Sequence, residues 1–272
     1  MASSQFIYLN GQPILESEVL SYGESGVVIH REGMAIKTPL KHPWSSEADV
    51  QMNMEAIQRE QEAYRRFQSS EKSRVDCIVP CIGLLPDAIQ LAYMERGDLR
   101  SYLQNQRPPI YAQLLWCCQM ARALEQAHDH CVLVGNIATR NFLLDSDLSI
   151  KLCGLSEASI LPLGTPMETV DDNGFSIHTD IGQLGAVMYE VTTGQRCDWD
   201  LFKDSLPDDS RATWPARVSL PSTGRVWLGP IIEKCWTPSG FQNAHCLLRE
   251  LISFVPLLEA IDRAVQRVLP WT

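Results

Sequence analysis

The sequence predicts an α+β chain of two unlike lobes, a small antiparallel β-lobe with one helix and a larger, mainly helical lobe. Three observations predict it. Short β-branched segments punctuated by glycines crowd the first ninety or so residues. One long amphipathic run, Ser46 to about Phe67, interrupts them. Three apolar stripes at helical spacing then occupy most of the remaining chain. The expected boundaries are 1–91 for the β-rich lobe, 92–95 for a hinge and 96–272 for the helical lobe, with a cleft between the lobes.

Composition narrows the function classes. The 272 residues are 45% hydrophobic and 21% charged, enough for a sizeable core and too apolar for a disordered chain. With 23 basic and 33 acidic residues the net charge is −10, which disfavours nucleic acid or an anionic membrane surface as partner. No run reaches the roughly 18 apolar residues of a membrane helix, and Met1-Ala2-Ser3-Ser4-Gln5 opens no basic-then-apolar leader. The expectation is a cytoplasmic protein with no membrane insertion. Nine cysteines without a CxxC pair argue against a disulfide framework or zinc ribbon. His128, His130 and Cys131 are the nearest thing to a metal cluster, and the end of a helix over a core accounts for them better.

Each element has its own signal. Tyr22 to His30 and Gly33 to Lys37 read as a hairpin, ended by Pro39 and Pro43. Ser46 and Asp49 have capping-box spacing, and the helix they open carries Ile57, Glu60, Tyr64 and Phe67 on one face. Strands return at Cys77 to Leu85 and Ala88 to Tyr93. Leu114, Cys118, Ala121 and Leu124 mark a helix ending near His128. Ile181, Leu184, Met188 and Val191 mark another, stopped by Gly194. A third stripe joins Leu247, Leu251, Phe254, Leu258 and Ile261. Asn141 to Leu144 and Ile150 to Leu152 flank the polar turn Asp145-Ser146-Asp147 as a second hairpin.

Individually the chemical signals are weak. Gly23 and Gly26 bracket polar residues ahead of Val27-Val28, and glycines let backbone amides approach a phosphate. A plain turn reads equally well. Lys37 ends the apolar strand Ala35-Ile36 and can reach phosphate oxygens or simply water. In order, however, come a helix with Glu60, then Leu91-Ala92-Tyr93-Met94-Glu95-Arg96-Gly97-Asp98-Leu99, then Ile137-Ala138-Thr139-Arg140-Asn141-Phe142-Leu143-Leu144, then Asp180-Ile181-Gly182-Gln183-Leu184-Gly185. That ordered set resembles the eukaryotic protein kinase fold over nearly the whole chain, in particular the divergent kinase-like proteins of filamentous fungi.

The resemblance implies roles. Ser21 to Val28 lies on the glycine-rich loop, with Ser21 in place of its first glycine and Gly23, Ser25, Gly26 and Val28 around the nucleotide. Ala35 would border the base, and Lys37 would hold the α- and β-phosphates, paired with Glu60 or, failing that, Glu62. Leu91 is the gatekeeper, and Ala92-Tyr93-Met94 the hinge against adenine. Asp98 would reach the ribose, Leu143 would lie beneath the base, and Asp180 would brace the catalytic loop.

The departures are as specific. Val134-Gly135-Asn136 stands where His-Arg-Asp is expected, so an amide replaces the general-base carboxylate. Gly154-Leu155-Ser156 stands for Asp-Phe-Gly, so the principal magnesium ligand is glycine; Asn141, a weak ligand alone, is retained. Glu157 is an alternative, displaced metal ligand. Ala-Pro-Glu is absent from 156–180, and its arginine partner is absent after Cys235-Trp236. Thr165 and Thr169 read as solvated loop residues before phosphosites. The aromatics of 197–214, Trp199, Phe202 and Trp214 with Leu201, read as packing before docking. The implied protein is a pseudokinase with ATP as its one cofactor and little use for magnesium, acting as a binding or scaffold module on an unidentified protein partner. The alternative is an atypical active kinase using Asn141 and Glu157. The Lys37–Glu60 pair fits either nucleotide binding or the joining of helix to sheet.

Overall fold

In the computed structural model, which describes residues 3–69, 75–203 and 211–256, the chain starts with a hairpin of β1 (Ser3–Ile7) and β2 (Pro13–Leu15). This hairpin is additional to the expected strands, although Asn10-Gly11 is a strong hairpin turn signal. Then come β3 (Val19–Tyr22), β4 (Gly26–Arg31) and β5 (Met34–Pro39), so the expected first strand is divided at the turn 23–25.

Helix α1 (Glu47–Gln68) comes next. Ser46 caps it by accepting from the Asp49 amide, while Asp49 turns its carboxylate back onto the Ser46 hydroxyl. Ile57, Glu60, Tyr64 and Phe67 are all buried on its inner face. β6 (Cys81–Leu85) and β7 (Ala88–Ala92) complete an antiparallel sheet in the order β3-β4-β5-β7-β6. Val28 faces Lys37 across β4–β5, and Lys37 faces Ile89 across β5–β7.

Cys77 to Pro80, expected within the sixth strand, is not part of it. Pro80 has no amide to donate to a ladder. Ile78 instead bridges Leu152, and the Val79 amide donates to the Leu152 carbonyl, tying this segment to the large lobe.

The large lobe contains α2 (Leu99–Asn105), α3 (Ile110–Asp129), β8 (Val132–Leu133), β9 (Phe142–Leu144), β10 (Ile150–Leu152), β11 (Ser159–Ile160), α4 (Ile177–Thr193), α5 (Gly229–Cys235) and α6 (Ala244–Ile252). β9 and β10 form the expected hairpin, Leu144 opposite Ile150. α4 is apolar nearly all round and buried accordingly, with Ser176 and Thr179 as a reciprocal capping box and Gly194 as its stop. α6 is shorter than its stripe: it closes at Ile252, Phe254 packs beyond it, and Leu258 and Ile261 lie outside the described residues.

One continuous core runs from Ala35, Ile57 and Leu91 in the small lobe to Leu184, Trp236 and Leu247 in the large one. Full burial of each large apolar side chain contributes roughly 1.5–3 kcal/mol. A smaller core of Phe6, Ile14, Val27 and Ile29 lies under the N-terminal hairpin. Trp199 stacks on Trp236 and meets Trp214 edge-on, so these aromatics pack, while Phe202 stays half-exposed beside Phe175. Among the described residues no helix is long and apolar enough to cross a membrane.

Candidate functional site

The small-lobe side of the cleft is built on β4, β5 and α1. Strand alternation puts Val28, Ala35 and Lys37 on one face and Val27, Ile29 and Ile36 on the other, under the N-terminal hairpin. Lys37 Nζ lies 2.5 Å from Glu60 Oε2, whose side chain is fully buried. A charge so placed is tolerable only when paired. Glu62, the other candidate, is exposed and bonds Arg65 instead. Gly26 lies directly above: a Cβ there would fall 2.9 Å from Lys37 Cε, so the turn 23–25 closes down over the lysine because residue 26 has no side chain. Gly23 and Ser25 belong to that turn, where the Gly23 amide donates to the Gly26 carbonyl.

The segment expected to be the hinge follows at the end of β7. Leu91 and Met94 are buried and Tyr93 is half-buried, its ring 4.4 Å from that of His30. Arg96 and Gly97 exchange backbone hydrogen bonds with Leu144, which fixes the chain just after residues 92–95 to β9. Asp98 is the N-cap of α2: its carboxylate accepts from the Ser101 amide and hydroxyl. It bridges Leu143 through the backbone, so both residues stand at the cleft edge.

Beneath the cleft Asp180, fully buried near the start of α4, accepts from the Val134 and Gly135 amides and from His128 Nε2, each at 2.9 Å. A carboxylate only accepts, so His128 carries its proton on Nε2. Gln183, one turn on, accepts from the Ile137 amide and donates to the Gly135 carbonyl. The loop 134–137 is therefore held from α4 by two side chains. Asp180 is legible through the family resemblance, whereas the roles of Gln183 and His128 are not, because each is set by contacts to residues far away in the chain.

The loop's contents differ from a catalytic centre. Asn136 donates from Nδ2 to Glu157 and accepts at Oδ1 from Arg140. Asn141 donates to the Asn136 carbonyl. Gly154 sits at φ 74°, and a Cβ there would fall 3.1 Å from Asn141 Oδ1. The side chain of Asn141 thus stands tightly against position 154 and would have to give way to a side chain there. A hard dication prefers several anionic oxygens, and here one neutral amide offers itself; the residues present do not fit a magnesium site. They do fit a nucleotide's phosphates, through Lys37 under the Gly26 backbone.

Helix α1 is fixed against the segment after β10. Arg59 donates to the Ser156 carbonyl at 2.7 Å and Arg66 to the Leu161 carbonyl at 2.8 Å, while β11 pairs with β8. Burial and the neighbouring Glu60 push the Cys153 thiol up to about 12, so it stays protonated at the back of the cleft. Thr165 and Thr169 donate to the Pro162 and Pro166 carbonyls in local turns. Met167 is buried with Cys131, Leu133 and Ile177, an apolar contact within the stretch that lacks Ala-Pro-Glu.

A strand-lysine pair above a hinge and a loop braced by a buried aspartate below it make a protein kinase-like domain. The family described as protein tyrosine and serine/threonine kinase matches residues 18–243, and the chain belongs to it. Family membership implies ATP use in general. The tyrosine-protein kinase JAK3 of Rattus norvegicus is 28% identical over 180 residues, covering 55% of this chain and 16% of that protein. The serine/threonine/tyrosine-protein kinase HT1 of Arabidopsis thaliana is 23% identical over 198 residues, 66% and 48% respectively. The cytoplasmic tyrosine-protein kinase BMX of Mus musculus is 24% identical over 241 residues, 80% and 36%. The chain thus spans half or less of the length of these relatives.

Proposed function

We propose that the chain is a pseudokinase: a kinase fold that takes ATP in the cleft without ordinary phosphotransfer and acts as a nucleotide-sensitive binding module for a protein partner in the cytoplasm. One observation carries this reading. The two positions that should supply the base and the principal metal ligand hold Asn136 and Gly154, and Asn141 packs into the space beside Gly154. Phosphoryl transfer depends on positioning and on charge neutralisation by metal, and both are weakened here. The Lys37–Glu60 pair supports nucleotide binding, since it keeps an ammonium under the glycine turn.

A thermal-shift titration with ATP, in magnesium and in chelator, tests the reading. Binding to the native state raises the melting temperature by mass action. The expected shift is independent of magnesium and is accompanied by no phosphate transfer. No shift at saturating ATP would leave a nucleotide-independent module. Steady transfer abolished by Lys37→Ala would reject the pseudokinase. A second reading, an atypical kinase, is favoured by Glu157, whose carboxylate lies 2.8 Å from the Asn136 amide. It requires that Glu157→Gln and Asn141→Ala each reduce a measurable transfer rate.

A further inference from the structure

Two arginines of α1 reach from the small lobe to main-chain carbonyls of the large one. Arg59 donates to the Ser156 carbonyl at 2.7 Å. Arg66 donates to the Leu161 carbonyl at 2.8 Å and to the His130 carbonyl at 3.4 Å. Glu62, the acid one turn before Arg66, is taken up by Arg65, so carbonyls and not carboxylates hold these two guanidiniums. We propose that Arg66, supported by Arg59, is the positioning residue of the Lys37–Glu60 pair: it clamps α1 to the large lobe and keeps Glu60 aimed at Lys37 whether or not a ligand fills the cleft.

Helical spacing explains how a residue outside the cleft can do this. Positions 59 and 66 are two turns apart, so they share one face and lie about 10.5 Å apart along the axis. Ala63 stands between them and is fully buried, its small side chain letting the segment after β10 come close. Glu60 and Phe67 each follow an arginine directly, about 100° round the helix, on the face that carries Tyr64. One contact on the arginine face would leave a pivot. Two contacts, two turns apart, fix the rotation of α1 about its axis, and that rotation decides where Glu60 points.

The acceptors are themselves anchored. Ile160 pairs with Val132 across β11–β8, and the Leu161 amide donates to the Cys131 carbonyl. The His130 ring meets Phe67 edge-on at 5.5 Å. Arg66 is the stronger of the two holds, because it is half-buried and spans two chain segments, whereas Arg59 is exposed and reaches one. A planar guanidinium serves two separate acceptors better than the compact ammonium of lysine. Because the acceptors are backbone carbonyls, the clamp needs no phosphorylated side chain to order the segment.

The test is hydrogen exchange of the full chain, read segment by segment, in Arg66→Met and in Arg59→Met with Arg66→Met. Methionine keeps an apolar stem and removes the donors. Exchange should quicken at least about fivefold in α1 and in 156–161 together, with α3 and α4 at parental rates, as loss of about one net hydrogen bond from a local opening predicts. Arg66→Lys, which keeps a donor without the fork, should fall between. Quickening spread evenly over both lobes would make the arginines general stabilisers, and unchanged exchange in α1 would make their bonds idle; either result overturns the proposal. The consequence for ATP rests on the reading of the cleft as a nucleotide site. Calorimetric titration with ATP in chelator should show affinity reduced about three- to tenfold in Arg66→Met. Full ATP affinity beside a loosened α1 would show that α1 does not position the lysine, and would overturn the proposal too. If the parent chain binds no ATP, the nucleotide reading fails on its own and the exchange pattern alone decides whether Arg66 clamps α1.

Discussion

Asn136 donates its amide hydrogen to the Glu157 carboxylate at 2.8 Å, joining the loop after β8 to the segment after β10. At its other end the same amide accepts from Arg140 at 2.9 Å. Only a side chain that is both donor and acceptor can stand between a carboxylate and a guanidinium in this way. Asparagine at 136 is thus matched to its neighbours, and the local network is complete without a base.

Asn136→Asp should therefore destabilise the chain without creating a kinase. The aspartate loses the donated bond and sets two carboxylates side by side. Because Glu157 is exposed and Asn136 only half-buried, the cost is about 1 kcal/mol. The repulsion needs both groups ionised, so the loss should shrink as pH is lowered toward about 4, near the ordinary carboxylate range. Adding Glu157→Gln should recover the melting temperature. A single variant as stable as the parent at neutral to mildly alkaline pH would contradict the network.

Gly154→Asp addresses the metal position directly. A Cβ there meets Asn141 at 3.1 Å, and φ is 74°. The strained backbone and the displaced amide should cost roughly 1–3 kcal/mol. The expected outcome is a lower melting temperature and no gain in magnesium-dependent ATP affinity. A gain in that affinity at unchanged stability would show that Asn141 yields easily.

Much of this arrangement is legible in the residues, and the limits have physical causes. Glu60 is placed on one helical face with Ile57 and Tyr64 by a periodicity that local sequence carries, whereas its pairing with Lys37 comes only from the family resemblance. Asp180 is identifiable only through family resemblance, since its three donors lie 45 to 52 residues away. The segment 77–80 reads as strand because Ile78 and Val79 are β-branched. Whether such a segment joins the small sheet or crosses to Leu152 is decided by tertiary contacts that propensity does not encode.

Asp180→Ala should be the most damaging change in the loop. It removes the acceptor for two backbone amides and an imidazole N–H, of which the Val134 amide and the imidazole are buried and the Gly135 amide part-buried. Leaving buried donors unpaired costs about 1–3 kcal/mol each. Denaturant unfolding should show a loss of several kcal/mol or no folded protein. Gln183→Ala, which frees the Ile137 amide and the Gly135 carbonyl, should cost less.

His178 gives the fold a pH dependence of known sign. Burial, and then the neighbouring His128, lower its pKa from the ordinary 6.5. The unfolded chain therefore binds a proton at a pH where the native ring does not, and native stability falls as pH drops below about 6.5. The loss continues until the lower native value is passed. His178→Gln should flatten the melting temperature between about pH 7 and 5 relative to the parent. An equally steep curve would assign the acid sensitivity to other groups.

Lys37→Ala, the natural probe of nucleotide binding, also disturbs the fold. It removes the cation paired with Glu60, whose carboxylate is fully buried and whose Oε1 has no partner among the described residues. Breaking a buried pair from one side costs about 3–5 kcal/mol, whereas removing both charges costs far less. Lys37→Ala should therefore melt well below the parent even without nucleotide, and Lys37→Met with Glu60→Gln should recover much of the loss. The informative quantity is the ATP-induced shift within each variant. The double variant should be near-parental in stability yet show no ATP shift, which separates a phosphate-holding lysine from one that only joins α1 to the sheet. If it kept the parent's full shift, the pair would be structural and the nucleotide would be held by other groups.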